Sequence, residues 1–181
     1  MESENASSAD NQQERFQGLE SIGYYLSGFV EGEGSFNVSF RKKSDYKVGW
    51  QVVLSFNVSQ KDITVLRILK DKLSCGIIKQ RKRDGLFSYD VTNSVAILNQ
   101  VIPFFEKYPL LSKSKRDNFL IFKKISNKVG FKDHLTEEGL IEIAKLRESL
   151  NKGKGRTRKY TLNDILGKSS ETTRQTPIRI N

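Results

Sequence analysis

The sequence has little of several residue types that build particular kinds of site: among 181 residues there are one cysteine, one histidine and three prolines. The lone Cys75 excludes an internal disulfide framework and a zinc site built from cysteines. The lone His134 excludes catalysis that needs two histidines within one chain. No apolar run approaches the roughly 20 residues that cross a bilayer, which excludes a membrane-spanning protein.

The first fifteen residues lack the features of a targeting segment. They are polar and acidic, without the apolar stretch of a secretory signal, and too acidic for a typical transit peptide. We therefore expect an intracellular protein, although the sequence does not distinguish a bacterial cytoplasm from a chloroplast or a mitochondrion. Because residues 1–15 also lack bulky side chains, we predict a disordered acidic tail there, a domain at 16–151 and a basic C-terminal extension at 152–181.

Basic residues are in excess and are unevenly distributed. The chain has 31 Lys and Arg against 21 Asp and Glu, a formal net charge of +10. Residues 1–35 hold seven acidic side chains and one basic one, whereas residues 36–90 hold twelve basic and five acidic ones. This distribution favours nucleic acid, bound by the middle of the chain, over the alternative of a soluble protein that only has a high pI.

Hydrophobic periodicity predicts an alternation of helices and strand pairs. Apolar residues at helical spacing follow Ser21, and the glycines at 32–34 end the run, which predicts a helix. Alternation of apolar and polar residues predicts two strands near 36–41 and 51–58. An apolar helical face follows at 65–73.

The second half repeats this order before a run of helices. Two further strands are predicted within 76–92, with the Asp-Gly pair at 84–85 as their turn. Pro103 should end or kink the next helix, a new helix starts near Ser112, and Thr136 can cap the last long one. The order predicts an α+β fold in which an antiparallel sheet has helices on one face.

The other face of that sheet is rich in side chains suited to base edges. Arg, Asn and Gln each make bidentate hydrogen bonds in the major groove, where a two-stranded ribbon fits. We therefore predict a DNA-reading face, the alternative being an ordinary solvated face. Its residues are Asn37, Ser39, Arg41, Gln51, Ser55 and Asn57 from the first strand pair, and Lys79, Arg81, Arg83, Ser88 and Asp90 from the second.

Two carboxylates stand where a helix end disfavours them. Glu31 and Glu33 lie at the C-terminal end of the first helix, where the partial negative charge makes each acid cost about 0.3 to 1 kcal/mol. The position suits them if a cation binds, and Mg²⁺ takes one or two carboxylates and completes its shell with water and phosphate oxygens. The two acids lie about 200° apart on a helix, so one per chain is the expected ligand. The alternative is an exposed helix end and turn.

The segment YLSGFVEGEGS at 25–35 resembles the motif of LAGLIDADG homing endonucleases. The resemblance extends to FNVSQK at 56–61, Pro103-Phe104 and KSKR at 113–116, and it covers about residues 20 to 130. With one motif, the chain resembles the homodimeric branch, in which two motif helices pack side by side and four-stranded sheets form a saddle over DNA. The resemblance implies an αββαββα fold with an antiparallel DNA-binding sheet and additional C-terminal helices.

The resemblance also implies roles for individual residues. Glu33, with Gly32, would bind the catalytic metal, Mg²⁺ with Mn²⁺ as a substitute. By position, Gln60 resembles the residue that orders the attacking water, and Lys113 the basic residue that stabilises the developing phosphorane charge. Where some relatives have another basic residue four positions after that glutamine, this chain has Thr64.

Further residues are expected at interfaces. Small residues four apart let another helix approach closely, so the motif helix should form the dimer seam. The expected seam residues are Ser27, Gly28 and Glu31, and the expected DNA-binding set gains Tyr46, Lys115 and Lys159. From Arg156 onward the chain either contacts phosphates or is an unstructured basic tail. Cys75 is expected in the core and His134 in a surface loop.

The implied function is a magnesium-dependent endonuclease. As a homodimer it would cut both strands of a long pseudo-palindromic DNA site, leave short 3′ overhangs and mobilise its own intron. The alternative is a protein of the same fold without cleavage, either an RNA maturase that binds intron RNA or a DNA-binding regulator. The presence of Glu33, Gln60 and Lys113 together favours the enzyme.

Overall fold

The computed structural model describes residues 5–152 and 158–167. Its four strands are β1 (Gly34–Lys42), β2 (Trp50–Gln60), β3 (Ile77–Gln80) and β4 (Phe87–Val91). Its α-helices are α1 (Asn5–Glu33), α2 (Thr64–Leu73), α3 (Ser94–Ala96), α4 (Ile102–Lys107), α5 (Lys113–Gly130), α6 (Glu137–Ser149) and α7 (Leu162–Ile165). A π-helical turn spans Ile97–Val101, and a 3₁₀ turn spans Asp133–Leu135. None of the helices in these ranges is both long and apolar enough to cross a bilayer.

The four strands form one antiparallel sheet in the order β1-β2-β4-β3. Residues alternate between buried and half-buried or exposed along β1 and β2, because successive side chains point to opposite faces. The apolar set packs against helices α1, α2 and α5, and the polar set lies on the other face. This arrangement confirms the predicted α+β fold.

Aromatic side chains fill the space between the sheet and the helices. The Phe36 ring stacks on Phe56 with centroids 5.3 Å apart and meets Phe105, Phe119 and Phe122 at 5.3 to 5.5 Å. Such offset and edge-on contacts add about 0.5 to 1.5 kcal/mol per pair beyond burial. The cluster fixes the start of β1 against α4 and α5.

The first helix begins earlier than the sequence predicts. Residues 5–15, predicted to belong to a disordered tail, have helical backbone in α1, and residues 1–4 lie outside the described ranges. The prediction is therefore wrong for the backbone of 5–15. The segment has no proline or glycine before Gly18, and its second half, QQER at 12–15, consists of good helix formers, so its intrinsic propensity permits a helix.

The connection between β3 and β4 is longer than the predicted two-residue turn. The strands end at Gln80 and resume at Phe87, so Arg81 and Arg83 lie in a loop and not on a strand. The Gly85 amide donates to the Arg81 carbonyl, and the Asp84 carboxylate accepts from the Leu86 amide and pairs with both arginines. One cross-strand bond, from the Arg81 amide to the Leu86 carbonyl at 2.8 Å, continues past the strand ends, and the local bonds close the loop beyond it.

Pro103 does not end its helix. The chain runs from α3 through the π turn into α4, with Pro103 near the start of α4. A π turn shifts the hydrogen-bond pattern by one residue, and helices accept a proline whose missing N–H falls at such a break. The predicted cap at Thr136 is confirmed, since its side chain accepts from the Gly139 amide.

The described part of the C-terminal extension packs on the domain. Arg158 donates to the carbonyls of Arg147 and Leu150, and the Tyr160 ring meets Trp50 with centroids 4.9 Å apart. An unstructured tail is therefore wrong for residues 158–167, while 153–157 and 168–181 lie outside the described ranges. The domain boundary at 152 stays a prediction.

Candidate catalytic site and nucleic-acid interface

The two acids at the end of α1 have different surroundings. One oxygen of Glu31 accepts hydrogen bonds from the backbone amides of Leu111 and Ser112, the latter at 2.8 Å. Glu33 is exposed, and within the described residues its carboxylate makes no hydrogen bond or ion pair. The structure thus ties the Glu31 carboxylate to the start of α5 and leaves the Glu33 carboxylate without a hydrogen bond or ion pair among the described residues.

A lysine of α5 lies beside these acids. The ammonium of Lys115 donates to the Gly34 carbonyl at 2.6 Å and lies within electrostatic reach of Glu31 and Glu33. Burial lowers the pKa of Lys115, and the two carboxylates act against that shift. Lys113, the basic residue expected from the sequence, is instead 83% exposed and pairs with Asp117 at 2.8 Å. The structure brings Lys115, not Lys113, to the motif.

Gln60 ends β2 at the same edge of the sheet. Gly34 is paired with Val58, so Gln60 lies two residues beyond the point where β1 leaves the motif helix. The side-chain carbonyl of Gln60 accepts a hydrogen bond from the Lys61 amide at 2.7 Å. At the start of α2, the Thr64 amide donates to the carboxylate of Asp62, not to Gln60. Thr64 is the first residue of α2 and is exposed.

The oxygen ligands available at this edge fit a hard cation such as Mg²⁺ that keeps most of its water ligands. No group of three or more metal-ligating side chains occurs among the described residues, which excludes a closed protein cage there. A free carboxylate from Glu33 and the exposed backbone at Gly32 supply oxygen ligands. Mg²⁺ is bound in this way, by one or two carboxylates with water and phosphate oxygens.

The motif helix has one face turned inward and one left open. Ser27 is 3% exposed and its hydroxyl donates to the Tyr108 carbonyl at 2.9 Å, so the predicted place of Ser27 on an intermolecular seam is wrong. Glu31, one turn later, faces the same way. Nothing approaches Gly28 or Gly32, where an added Cβ would meet open space, and Tyr25 is 57% exposed. The open face is therefore the glycine face.

Polar side chains of β1 and β2 form a connected row on the open face of the sheet. The Asn37 amide donates to Ser35 at 2.9 Å and to Asn57 at 3.2 Å. The alternating strands place Ser39, Arg41, Gln51 and Ser55 on this same face, with Ser39 and Arg41 exposed. These predicted residues are brought together.

The second strand pair contributes a smaller set. Asp90 accepts from Ser88 at 3.0 Å and lies 4.0 Å from the ammonium of Lys79. Ser88 is 7% exposed, so its hydroxyl is occupied by the hydrogen bond to Asp90 and is hardly accessible to a ligand. Val53 and Ile77 share this face and were not predicted, because apolar residues at outward positions give no polar signal.

The remaining predicted contacts lie in turns and at the C-terminal segment. Tyr46 is half-buried in the β1–β2 turn, and Lys159 is exposed with its ammonium 5.4 Å from the Tyr160 ring. Cys75 packs partly buried against the core, as expected. His134 lies in the 3₁₀ turn, where burial lowers its pKa, and not in an open loop.

Comparison with known proteins places this arrangement in a family. The family model described as LAGLIDADG endonuclease matches residues 26–126, from the end of the motif helix into α5. The chain belongs to the LAGLIDADG endonuclease family. Two Neurospora crassa proteins named probable intron-encoded endonuclease 3 and 2 are 36% and 33% identical over 130 and 145 residues, 70% and 78% of this chain. The LAGLIDADG chain spans 24% and 32% of their lengths.

Solved LAGLIDADG structures share the fold. The homing endonuclease I-TnaI is 32% identical with a TM-score of 0.71, covering 81% of this chain and 96% of its own. I-SmaMI, solved bound to cleaved DNA, is 36% identical with a TM-score of 0.71, covering 88% of this chain and 51% of its own. These matches show that the chain has the fold of these structures.

Proposed function

We propose that this chain is a site-specific, divalent-metal-dependent DNA endonuclease that acts as a homodimer on a long pseudo-palindromic site. The observation that supports the proposal best is the carboxylate of Glu33, which makes no hydrogen bond or ion pair within the described residues and lies within electrostatic reach of Lys115 at the end of a polar sheet face. The similar proteins I-SmaMI and I-LtrWI have been solved bound to DNA, and relatives are named endonucleases.

The residues at the end of α1 divide the chemical work. Glu33 and the Gly32 carbonyl would hold Mg²⁺, or Mn²⁺ in its place. When bound, the ion would supply positive charge at the scissile phosphate and lower the pKa of coordinated water. Gln60 would orient the attacking water, and a lysine of α5 would stabilise the negative charge that develops on the phosphate oxygens. Lys113 has this role by sequence position, but Lys115 is the amine that the fold places beside the acids.

The open face of α1 supports the homodimer. Gly28 and Gly32 let a second copy of α1 approach closely, and Tyr25 offers apolar surface for it to cover. Such an arrangement brings the Glu33 residues of the two copies near each other, where their like charges repel unless a cation binds between or beside them. Two active carboxylates would then face the two strands of one duplex.

The polar face of the sheet supplies recognition. Asn37, Asn57, Gln51 and Arg41 present amides and a guanidinium that match base edges in the major groove. Val53 and Ile77 on the same face suit the methyl group of thymine. Exposed Lys159 and the β3–β4 loop arginines add phosphate or base contacts, and specificity is spread over many moderate contacts.

Cleavage on a pool of duplexes tests the proposal. The purified protein is incubated with intron-insertion junctions and pseudo-palindromic inserts, with Mg²⁺, with Ca²⁺ and with no divalent ion, and the ends of double-strand breaks are sequenced. We expect one discrete site, cut with Mg²⁺ only and leaving short 3′ overhangs.

The Glu33→Gln variant is the matched control, because it keeps the shape of the side chain and removes its charge. Specific binding of DNA without breaks in Mg²⁺ or Mn²⁺ would contradict the enzyme. Preference for folded intron RNA over duplex DNA in a gel shift would replace the proposal with a splicing role.

A further inference from the structure

Glu31 solves a local problem at the start of α5. Ser112 occupies the N-cap position of that helix but makes no side-chain capping bond. The carboxylate of Glu31, eighty residues earlier in the chain, accepts from the amides of Leu111 and Ser112 instead. An acid is unfavourable at the C-terminus of α1 and favourable near the N-terminus of α5, so one contact offsets the other.

The same region is fixed at a second point. Three residues after Ser112, the Lys115 ammonium donates to the Gly34 carbonyl at 2.6 Å. The two contacts lie on either side of Glu33, one at Glu31 and one at Gly34. The start of α5 and the end of the motif helix are therefore held together around the free carboxylate.

Two other roles for Glu31 fit the structure less well. As a metal ligand it has only its second oxygen to offer, because the first accepts two backbone bonds that tie the carboxylate to the start of α5. As a seam residue it would have to face away from the chain, yet it points the same way as the buried Ser27. Both observations favour a role for Glu31 within its own chain.

We infer that Glu31 is a positioning residue, whose carboxylate fixes the start of α5 and thereby holds Lys115 beside Glu33. The inference rests on the proposed endonuclease function, since positioning matters for a reaction at that edge. It gives the two motif acids different roles. Glu33 would bind the metal ion, and Glu31 would orient Lys115 through the start of α5.

Two substitutions separate positioning from metal binding. Glu31→Gln keeps an oxygen that accepts both amides but is a poor ligand for Mg²⁺, whereas Glu31→Ala removes the acceptor. We expect single-turnover cleavage of the wild-type site to fall about 100-fold in Glu31→Ala, the scale of a 1 Å misplacement. Glu31→Gln should lose less than about 10-fold, and neither variant should change the Mg²⁺ concentration for half-maximal rate by more than about twofold.

Amide hydrogen exchange of the metal-free, DNA-free protein gives a readout independent of cleavage. The Leu111 and Ser112 amides should exchange at least about tenfold faster in Glu31→Ala than in the wild type, and at nearly the wild-type rate in Glu31→Gln. A thermal melt of each variant shows whether the fold is retained. Unchanged exchange in Glu31→Ala would overturn the inference.

A double-mutant cycle tests whether Glu31 acts through Lys115. If it does, Glu31→Ala should slow cleavage little further in a Lys115→Met background, because the positioned group is already lost. Additive losses would overturn the inference, as would equal damage from Gln and Ala with a raised Mg²⁺ requirement. Glu31→Ala could instead dissociate the dimer and regain the wild-type cleavage rate at high protein concentration. That result would show that Glu31 acts at the dimer interface and would overturn the inference.

The failures of the two proposals are distinct. A wild-type chain that cuts no duplex overturns the endonuclease function and the positioning role with it. A wild-type chain that cuts, with a Glu31→Ala variant that cuts equally fast, overturns the positioning role alone.

Discussion

The two ends of the sheet differ in how their charged side chains are bonded. At the motif end, Glu33 is exposed and makes no hydrogen bond or ion pair among the described residues. At the far end, Arg147 is 3% exposed, its guanidinium lies 4.6 Å from the Phe40 ring centroid, and it donates to the Tyr160 carbonyl at 2.8 Å. A charge whose bonds are made inside the chain stabilises the fold, whereas a charge left without them is available to a ligand.

Of the substitutions that test this difference, Glu33→Gln is expected to have the largest effect. Loss of the free carboxylate should slow cleavage at least about 1,000-fold while DNA binding persists, because the ion loses its one charged protein ligand per chain. Folding stability should rise by about 0.3 to 1 kcal/mol, since an acid leaves a helix C-terminus. Single-turnover kinetics, gel shifts and urea unfolding measure the three effects, and retained cleavage would refute the metal assignment.

The two lysines of α5 sharpen the comparison within the motif end. Lys115→Ala should slow cleavage about 100-fold, the cost of removing one charge-stabilising donor. Lys113→Ala should change the rate by less than about fivefold, because an exposed pair such as Lys113–Asp117 contributes little. Single-turnover rates on the same site decide between them, and the reverse order would restore the assignment made from sequence position.

At the far end, Arg147→Ala should reduce stability and leave the chemistry intact. The substitution removes bonds to Tyr160 and Glu148 and the contact with Phe40, and we expect a loss of about 2 to 3 kcal/mol. Lys145→Ala, exposed on the same helix, is the matched control with a change below about 0.5 kcal/mol. Urea unfolding measures both, and a slowed cleavage step in folded Arg147→Ala would contradict the division of tasks.

The smallest effect is a pH dependence of the C-terminal helix. Hydrogen bonds from the Thr161 amide and hydroxyl hold the pKa of Asp164 below its usual value, so its stabilising effect is present near pH 7 and is lost as pH falls through the unfolded and then the folded pKa. Trp50, the chain's single tryptophan, contacts Tyr160 and reports this change by fluorescence. Asp164→Asn should flatten that part of the acid titration, and an unaltered titration would refute the assignment.

Local signals predicted most of the fold. Alternation in β1 and β2, the glycines that end α1 and the cap at Thr136 each depend on neighbours in sequence. Helix geometry predicted one acid per chain as the ligand, and the family resemblance, not the geometry, singled out Glu33.

Contacts between distant segments were beyond such signals. Lys113 and Lys115 are two residues apart, so about 200° of rotation separates them and only docking of α5 decides which one faces α1. The choice of Ser27 as a seam residue failed for the same reason, since the composition of α1 does not reveal which face meets Tyr108. The loop position of Arg81 and Arg83 depended on bonds to Asp84 that the turn dipeptide did not reveal.

The bonds from Glu31 to Leu111 and Ser112 join positions eighty residues apart. A ribosome makes α1 and the whole sheet before it reaches α5, and contacts of such long range form late in folding. Phe119 and Phe122 of α5 also pack against Phe36 of β1, so the packing of the sheet is completed by the same late docking that brings Lys115 beside Glu33. A chain shortened before α5 would lack both contacts.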